Sequence, residues 1–160
     1  MSVLNSIRAL LTESNISFQQ LEHEPTHTSE ESARVRGLEM RTGAKALVVK
    51  VEDQFRLFVM PADRKLDSGA VRRAFSAKKI RFASREELLE LTGLVPGSVP
   101  PFGRPILPFE LYADPLICEM TGTIAFNAGS LTTSIIMNAP DWLRAAQPQS
   151  VPLVEREESV

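Results

Sequence analysis

The segment from Gly93 to Gly103, GLVPGSVPPFG, constrains the fold of this chain most strongly, because it concentrates three glycines and three prolines. Glycine permits positive φ and close backbone approach, whereas proline fixes φ and removes an N–H donor. We therefore expect a stiff loop here. The N–H groups of Gly97, Ser98 and Val99 are candidates for binding an oxyanion or a substrate carbonyl. An ordinary tight connection would have the same composition.

Composition favours one soluble domain without a metal or cofactor. The chain has 160 residues, of which 43% are hydrophobic and 24% charged, enough for a single core. No apolar run is long enough to cross a bilayer, and the N-terminus lacks the features of a signal peptide, so we expect a cytoplasmic protein that contacts no membrane. The sequence leaves open whether it is a monomer or a homodimer. One cysteine, Cys118, and two histidines, His23 and His27, exclude an internal disulfide and argue against zinc.

The charge distribution leaves two interpretations of one basic segment. The formal net charge of −2 argues against a protein that coats nucleic acid through positive potential. The segment from Arg64 to Arg81, however, contains seven of the 18 basic residues and only one acid, Asp67. The segment is either a solvated helix face or a stripe that contacts the phosphates of an RNA substrate. The candidates for phosphate contact are Arg64, Lys65, Arg72, Arg73, Lys78 and Lys79.

Helix signals recur along the chain. Apolar residues at helical spacing follow Ser2, a potential N-cap. Two capping boxes, Thr28 with Glu31 and Ser84 with Glu87, predict short helices that end at glycines. Further helices are expected after Asp67 and, with Trp142, after Asn138 and Pro140. The predicted ranges are 3–11, 29–36, 68–75 and 85–91, and the last helix is predicted to begin after Asn138.

Strand signals predict a sheet built around one hairpin. Ala44–Val51 and Phe55–Met60 are rich in β-branched and aromatic residues and flank a polar turn, so we expect this hairpin at the centre of the sheet. Strands and helices mix without regular βαβ alternation. The fold class is therefore α/β (mixed α+β), a single domain over residues 1–146 with a curved, barrel-like mixed sheet surrounded by helices, followed by a frayed tail over 147–160. The other predicted strands are Ile16–Leu21, Lys79–Phe82, Ile106–Tyr112, Thr123–Asn127 and Thr132–Met137.

Three features could carry chemistry. Lys45 begins the most apolar strand, and its ammonium either reaches water along its stem or lies at a pocket edge, where it would bind an ester carbonyl or a ribose hydroxyl. The turn formed by Asn127, Ala128, Gly129 and Ser130 is either an ordinary hairpin connection or a second wall of a small pocket. His27 lies in a loop before a helix, as a structural hydrogen bonder or as an acid or base.

Taken together, the motifs resemble the YbaK and prolyl-tRNA synthetase-associated domain family. The resemblance extends from about residue 5 to residue 146 and keeps the family's order. Each motif alone is weak, and the combination is specific. The segments that carry it are Glu22–Pro25, Thr28–Glu31, Gly43–Val49, Met60–Asp67, Thr92–Gly103 and Asn127–Ser130.

The resemblance implies a free-standing trans-editing deacylase that hydrolyses the ester between a wrong amino acid and tRNA. The expected substrate is tRNA for proline that carries alanine, cysteine or 2-aminobutyrate, with a synthetase as a possible partner. Lys45 matches the family's essential lysine, and Asn127–Ser130 match the segment that lines its amino-acid pocket. Gly97, Ser98, Val99, Pro100 and Gly103 fall on its glycine-containing loop. Alanine-specific relatives carry a histidine close to the position of Asn127, and its absence here argues against alanine specificity.

The resemblance also implies a mechanism without a metal or a protein nucleophile. The attacking group would be water assisted by the substrate's terminal ribose hydroxyl, or a substrate thiol if the amino acid is cysteine. Two rival functions remain: a non-catalytic module of the same fold that binds tRNA or a synthetase, and an enzyme that uses Lys45 as a Schiff-base nucleophile.

Overall fold

The computed structural model describes residues 2–156, which form a mixed α/β domain. The helices are α1 (Val3–Glu13), α2 (Ser29–Arg36), α3 (Ser68–Phe75), α4 (Arg85–Thr92), α5 (Pro115–Cys118) and α6 (Ala139–Ala146), with a short 3-10 helix at Met40–Thr42. The strands are β1 (Phe18–Glu22), β2 (Ala44–Val51), β3 (Gln54–Pro61), β4 (Ile80–Phe82), β5 (Leu111–Ala113), β6 (Thr123–Asn127), β7 (Thr133–Asn138) and β8 (Gln149–Ser150).

Two sheets share the core. One has the order β1-β7-β6, and the other has the order β4-β2-β3-β5-β8. The predicted hairpin forms at the centre of the larger sheet, with β2 and β3 paired antiparallel from Ala44–Pro61 to Val51–Gln54, whereas β3–β5 and β5–β8 are parallel. The mixed α/β class is confirmed. Within residues 2–156 the sheets do not close into one barrel and are linked by a single bridge between Gly43 and Ala125.

Local capping chemistry sets the helix ends as expected. The side chain of Ser84 accepts from the N–H of Glu87, and the carboxylate of Glu87 accepts from the N–H of Ser84. At α2 only half of the predicted capping box forms, because Thr28 Oγ1 accepts from the N–H of Glu31 while the Glu31 carboxylate accepts from the Thr28 hydroxyl. Gly93 ends α4 at φ +75°, a left-handed conformation in which residues other than glycine are strained.

Core packing fixes residues 101–103, at the end of the loop that follows α4. Trp142 is fully buried, and its Nε1 donates to the carbonyl of Pro101 at 3.0 Å. Phe102 packs edge-on against Phe126 with ring centroids 5.5 Å apart. A Cβ on Gly103 would lie 2.6 Å from the carbonyl oxygen of Phe109, so the close packing there requires glycine. The loop is thus rigidly attached to β6 and α6.

One predicted strand, Ile106–Tyr112, is wrong over most of its length. Only Leu111–Ala113 pairs as a strand. Before it the chain folds back on itself, since the N–H groups of Ile106 and Leu107 both donate to the carbonyl of Gly103. Pro105 and Pro108 have no N–H to offer to a β ladder, which explains why the apolar residues between them do not extend the strand.

The predicted frayed tail is also wrong where the structure describes it. β8 pairs with β5, and Leu153 is fully buried. The carboxylate of buried Asp114 accepts from the N–H groups of Leu153 at 2.8 Å and Val154 at 3.2 Å. These bonds and the burial of Leu153 hold the segment in place, so the folded unit extends past residue 146. Residues 157–160 of the predicted tail lie outside the described residues.

No helix among residues 2–156 is long and apolar enough to cross a membrane.

Replacement of Asp114 by alanine should detach this segment. It removes the acceptor for Leu153 and Val154 and the cap of α5, where Asp114 Oδ1 accepts from the N–H of Leu116. Orphaned buried donors cost about 1–3 kcal/mol each, so we expect a loss of about 2–4 kcal/mol in the free energy of unfolding, measured with urea. Asp53→Ala, in the exposed β2–β3 turn, is the control and should change it by less than about 0.5 kcal/mol. Equal values for both variants would contradict this role of Asp114.

Glu87 should make the stability of α4 sensitive to acid. Its carboxylate accepts two hydrogen bonds from Arg81, at 2.7 and 2.9 Å, and these bonds, with that from the Ser84 N–H, lower its pKa to about 2. A depressed carboxyl pKa adds stability that is complete above about pH 4.5 and is lost as the pH falls toward 2. Between those values the free energy of unfolding of the wild type should therefore fall more steeply than that of Glu87→Gln. Glu86→Gln, in the same turn, should keep the wild-type slope; parallel curves for wild type and Glu87→Gln would refute the coupling.

Candidate active site

A cleft of about 590 Å³ opens between α2 and the start of β2. One wall is formed by α2 and the 3-10 helix, and the other by the residues after β3 and the turn of the Gly93–Gly103 loop. Five of the predicted site residues line this cleft, together with Arg64 and Lys65 at its margin: Lys45, Gly97, Val99, Asn127 and His27.

Lys45 carries an ammonium group that is available to a ligand. It follows buried Ala44 in β2, its side chain is exposed, and within the described residues it forms no hydrogen bond or ion pair. Lys50, on the same strand, lies over the ring of Phe55 with 5.5 Å between Nζ and the ring centroid, and it does not line the cleft. Of the two lysines of β2, Lys45 is thus the one placed to contact a substrate.

Two residues of the loop that line the cleft have backbone N–H groups without an acceptor among the described residues, and Ser98 is not one of them. Residues 95–98 form a tight turn in which Pro96 and Gly97, at φ +88°, take the central positions of a type II turn. The N–H of Ser98 donates to the carbonyl of Val95 at 3.1 Å, so the predicted role of this N–H in binding an oxyanion is wrong. Within the described residues the N–H groups of Gly97 and Val99 have no acceptor, and both residues border the cleft.

The turn after β6 holds this loop in place rather than forming a second wall. Asn127 Nδ2 donates to the carbonyl of Gly97 at 2.8 Å, and the N–H of Gly129 donates to the carbonyl of Ser98 at 2.9 Å. Ala128 is fully buried, and the hydroxyl of Ser130 bonds Thr132. Of these four predicted pocket residues, only Asn127 lines the cleft.

An arginine that the sequence did not single out lies in the cleft beside Asn127. Arg36, the last residue of α2, donates from Nε to the hydroxyl of Ser134 at 2.9 Å and from Nη2 to Asn127 Oδ1 at 3.0 Å. Ser134 also contacts His23 Nε2 at 2.8 Å. The four side chains form one polar network behind the cleft.

Burial gives Arg36 an unusual electrostatic environment. Desolvation lowers its pKa to about 10, so the guanidinium stays charged at neutral pH. No carboxylate among the described residues forms an ion pair with it. Of the three carboxylates that line the cleft, Glu39 pairs with Arg41 and Asp63 with Arg64, and Glu30 makes no ion pair with Arg36. Arg36 and Lys45 both line the cleft, and no described acid neutralises either of them by direct contact.

Comparison with known proteins identifies the family. The model of the aminoacyl-tRNA editing domain matches residues 23–145. The chain belongs to this family. Over 148 residues the editing domain is 39% identical to the Multifunctional Ser/Thr-tRNA deacylase ProXp-y of Escherichia coli K12, a match that covers 89% of this chain and 87% of that protein.

Two further matches are one relative by sequence and one solved structure. A proline–tRNA ligase of Shouchella clausii is 36% identical over 93 residues, which cover 58% of the editing domain and 16% of the ligase. A crystal structure described as a candidate trans-editing enzyme for prolyl tRNA synthetase superposes with a TM-score of 0.79 at 24% identity, covering 98% of this chain and 99% of that one. The second match shows the fold alone.

The remaining predicted residues of the editing domain lie away from the cleft. Pro100 and Gly103 are buried in the part of the loop that packs against the core, and neither lines the cleft. Four basic residues are exposed on α3 and on the turn before β4 and do not line the cleft: Arg72, Arg73, Lys78 and Lys79.

Cys118 is half-buried, burial raises the pKa of its thiol, and it does not line the cleft. Among residues 2–156 no group of three or more His, Cys, Asp or Glu side chains could hold a metal ion.

Proposed function

We propose that this chain hydrolyses the ester that joins a wrongly attached amino acid to tRNA, acting in trans to the synthetase. Its family is that of the aminoacyl-tRNA editing deacylases, which are ester hydrolases. The observation that carries the proposal is one cleft lined by an unpaired ammonium, on Lys45, and by two unpaired backbone N–H groups, on Gly97 and Val99. Such an arrangement suits a reaction that develops negative charge on a carbonyl oxygen.

Hydrolysis in this cleft relies on position and charge. The oxygen of a water molecule attacks the ester carbonyl carbon, and the bond from that carbon to the ribose oxygen then breaks. The proton of the water passes to the ribose oxygen that leaves, with the neighbouring ribose hydroxyl as carrier. Gly97 and Val99 N–H groups would donate to the oxyanion, while Lys45 anchors the terminal ribose or the carbonyl region.

The amino acid and the tRNA are the finer part of the proposal. The E. coli relative is named for Ser and Thr, whereas the family resemblance favours tRNA for proline with a small residue. We propose a small amino acid, with serine and threonine preferred. A panel of tRNAs charged with serine, threonine, alanine, cysteine and 2-aminobutyrate tests this directly: release of none of them by the purified protein would refute the function.

Lys45→Ala should abolish most deacylation without unfolding the chain. Removal of one group that stabilises an oxyanion typically costs on the order of 10²- to 10³-fold in rate, and we expect that loss in single-turnover hydrolysis of the best substrate of the panel. Because Lys45 is exposed and unpaired among the described residues, the free energy of unfolding should change by less than about 0.5 kcal/mol. Lys50→Ala is the matched control and should keep full activity. An unchanged rate in Lys45→Ala would remove Lys45 from the reaction.

The exposed basic residues should contribute to tRNA affinity and not to chemistry. Neutralising Arg72, Arg73, Lys78 and Lys79 together should raise KM on the order of tenfold and flatten its salt dependence, while kcat stays constant. Each lost phosphate contact removes about 0.7–0.9 from the slope of log K against log salt. Arg144→Ala, an exposed arginine on α6, is the control. An unaltered salt slope in the fourfold variant would assign this stretch to an ordinary solvated surface.

A further inference from the structure

We propose that Arg36 is a specificity-determining residue whose guanidinium binds an oxygen on the side chain of the amino acid to be removed, so that the cleft selects hydroxyl-bearing residues. The inference rests on the proposed deacylase function and deepens it. It assigns a recognition group to the same cleft that holds Lys45.

The guanidinium has unused donors at the cleft. An arginine carries five N–H groups, and Ser134 and Asn127 take one each, which leaves three without an acceptor among the described residues. Nη1 lies beside the start of β2, 3.7 Å from the position that a Cβ on Gly43 would occupy, and Gly43 precedes Lys45 by two residues. Across the described residues the one buried polar side-chain atom without a partner is Arg56 Nε, so Arg36 Nη1, which has no partner, is not buried, and Arg36 lines the cleft.

The neighbours of Arg36 fix its plane but leave its charge uncompensated. Ser134 and Asn127 are neutral acceptors, and both are buried. The amide of Asn127 is poorly placed to bind the side chain of the substrate's amino acid, because it is already engaged. Its Oδ1 accepts from Arg36 and Ser134, and its Nδ2 donates to the carbonyl of Gly97. A partly buried cation with unpaired N–H donors gains hydrogen bonds from a ligand that brings an oxygen acceptor. The positive charge also orients the α-ammonium of the amino acid away from Arg36.

Discrimination follows from the cost of leaving such donors unpaired. When serine or threonine enters, its hydroxyl oxygen accepts from the guanidinium. When alanine or 2-aminobutyrate enters, the substrate displaces water but offers no acceptor, and the desolvated donors lose their hydrogen bonds. A site whose donors bind a substrate hydroxyl discriminates against the analogue that lacks it, because those donors are then left unpaired.

Two substrate pairs isolate this single oxygen atom. Serine and alanine differ by one hydroxyl, and so do threonine and 2-aminobutyrate. With the same tRNA carrying each of the four, we expect the wild type to favour the hydroxyl member of each pair by about 10²-fold in kcat/KM. Arg36→Met should lower kcat/KM for the serine and threonine esters by about 10²-fold and change the other two by less than about threefold. Arg34→Met, an exposed arginine of the same helix, should leave all four values unchanged.

The outcomes separate this inference from the proposed function. Equal losses for all four esters in Arg36→Met would mean that Arg36 only supports the shape of the cleft, and would overturn the inference while the deacylase function stands. Equal wild-type rates within each pair would overturn it as well. If the wild type hydrolyses no misacylated tRNA, the function itself fails and the inference with it. If circular dichroism shows that Arg36→Met does not fold, Arg36→Lys is the second variant, because it keeps the charge but lacks the planar, multiply donating guanidinium. We expect the ratio of kcat/KM between the hydroxyl ester and its partner in each pair to be smaller in Arg36→Lys than in the wild type.

Discussion

The hydrogen bond from Asn127 Nδ2 to the carbonyl of Gly97 is the contact on which the cleft depends. It joins the turn of the proline-rich loop to the end of β6, and the bond from Gly129 N–H to the carbonyl of Ser98 repeats the link two residues further on. These bonds use the carbonyl groups of Gly97 and Ser98, while the N–H groups of Gly97 and Val99 have no acceptor among the described residues. A loop without these ties would have to be ordered by the substrate, at the expense of binding free energy.

The rest of the loop is held by the core, which makes those donors rigid. The indole of Trp142 bonds the carbonyl of Pro101, and Phe102 packs on Phe126. The same β6 strand thus supports the loop twice, through apolar packing along the strand and through Asn127 at its end. Donors that are already oriented need no reorganisation as charge develops in the transition state, and this preorganisation is the main source of their catalytic value.

Local signals in the sequence predicted much of this fold. These signals act over a few residues, so the structure that each one forms can be deduced from neighbouring side chains alone. Examples are the helix caps Ser84 and Asp67, the hairpin of β2 and β3, and the glycine after α4. The failures are long-range. The docking of residues 149–154 depends on Asp114, about forty residues earlier, whose carboxylate resembles any other acid in the sequence.

Arg36 shows the same limit at the site. At the end of α2 a basic residue ordinarily stabilises the helix dipole, and nothing in its surroundings indicates that Ser134 and Asn127, some hundred residues away, will hold it in a cleft. Lys45 can be identified from the sequence because its charge lies at the start of an apolar strand, a conflict that is visible locally. The role first given to Ser98 fails for a related reason, since the composition of a Pro-Gly turn predicts that it exists but not which of its N–H groups the turn itself consumes.

The cleft contains uncompensated positive charge, whereas the whole chain has a negative formal net charge. The formal net charge is −2, yet the cleft holds the cations Lys45 and Arg36, neither of which has a carboxylate partner among residues 2–156. Such a cleft favours the negative charge of an oxyanion over the neutral ester that precedes it, and this difference, more than tight binding of the ester, lowers the barrier. Under the proposed function, attraction of the polyanionic tRNA would fall to exposed surface residues, where salt screens it and where it would add affinity without altering the chemistry in the cleft.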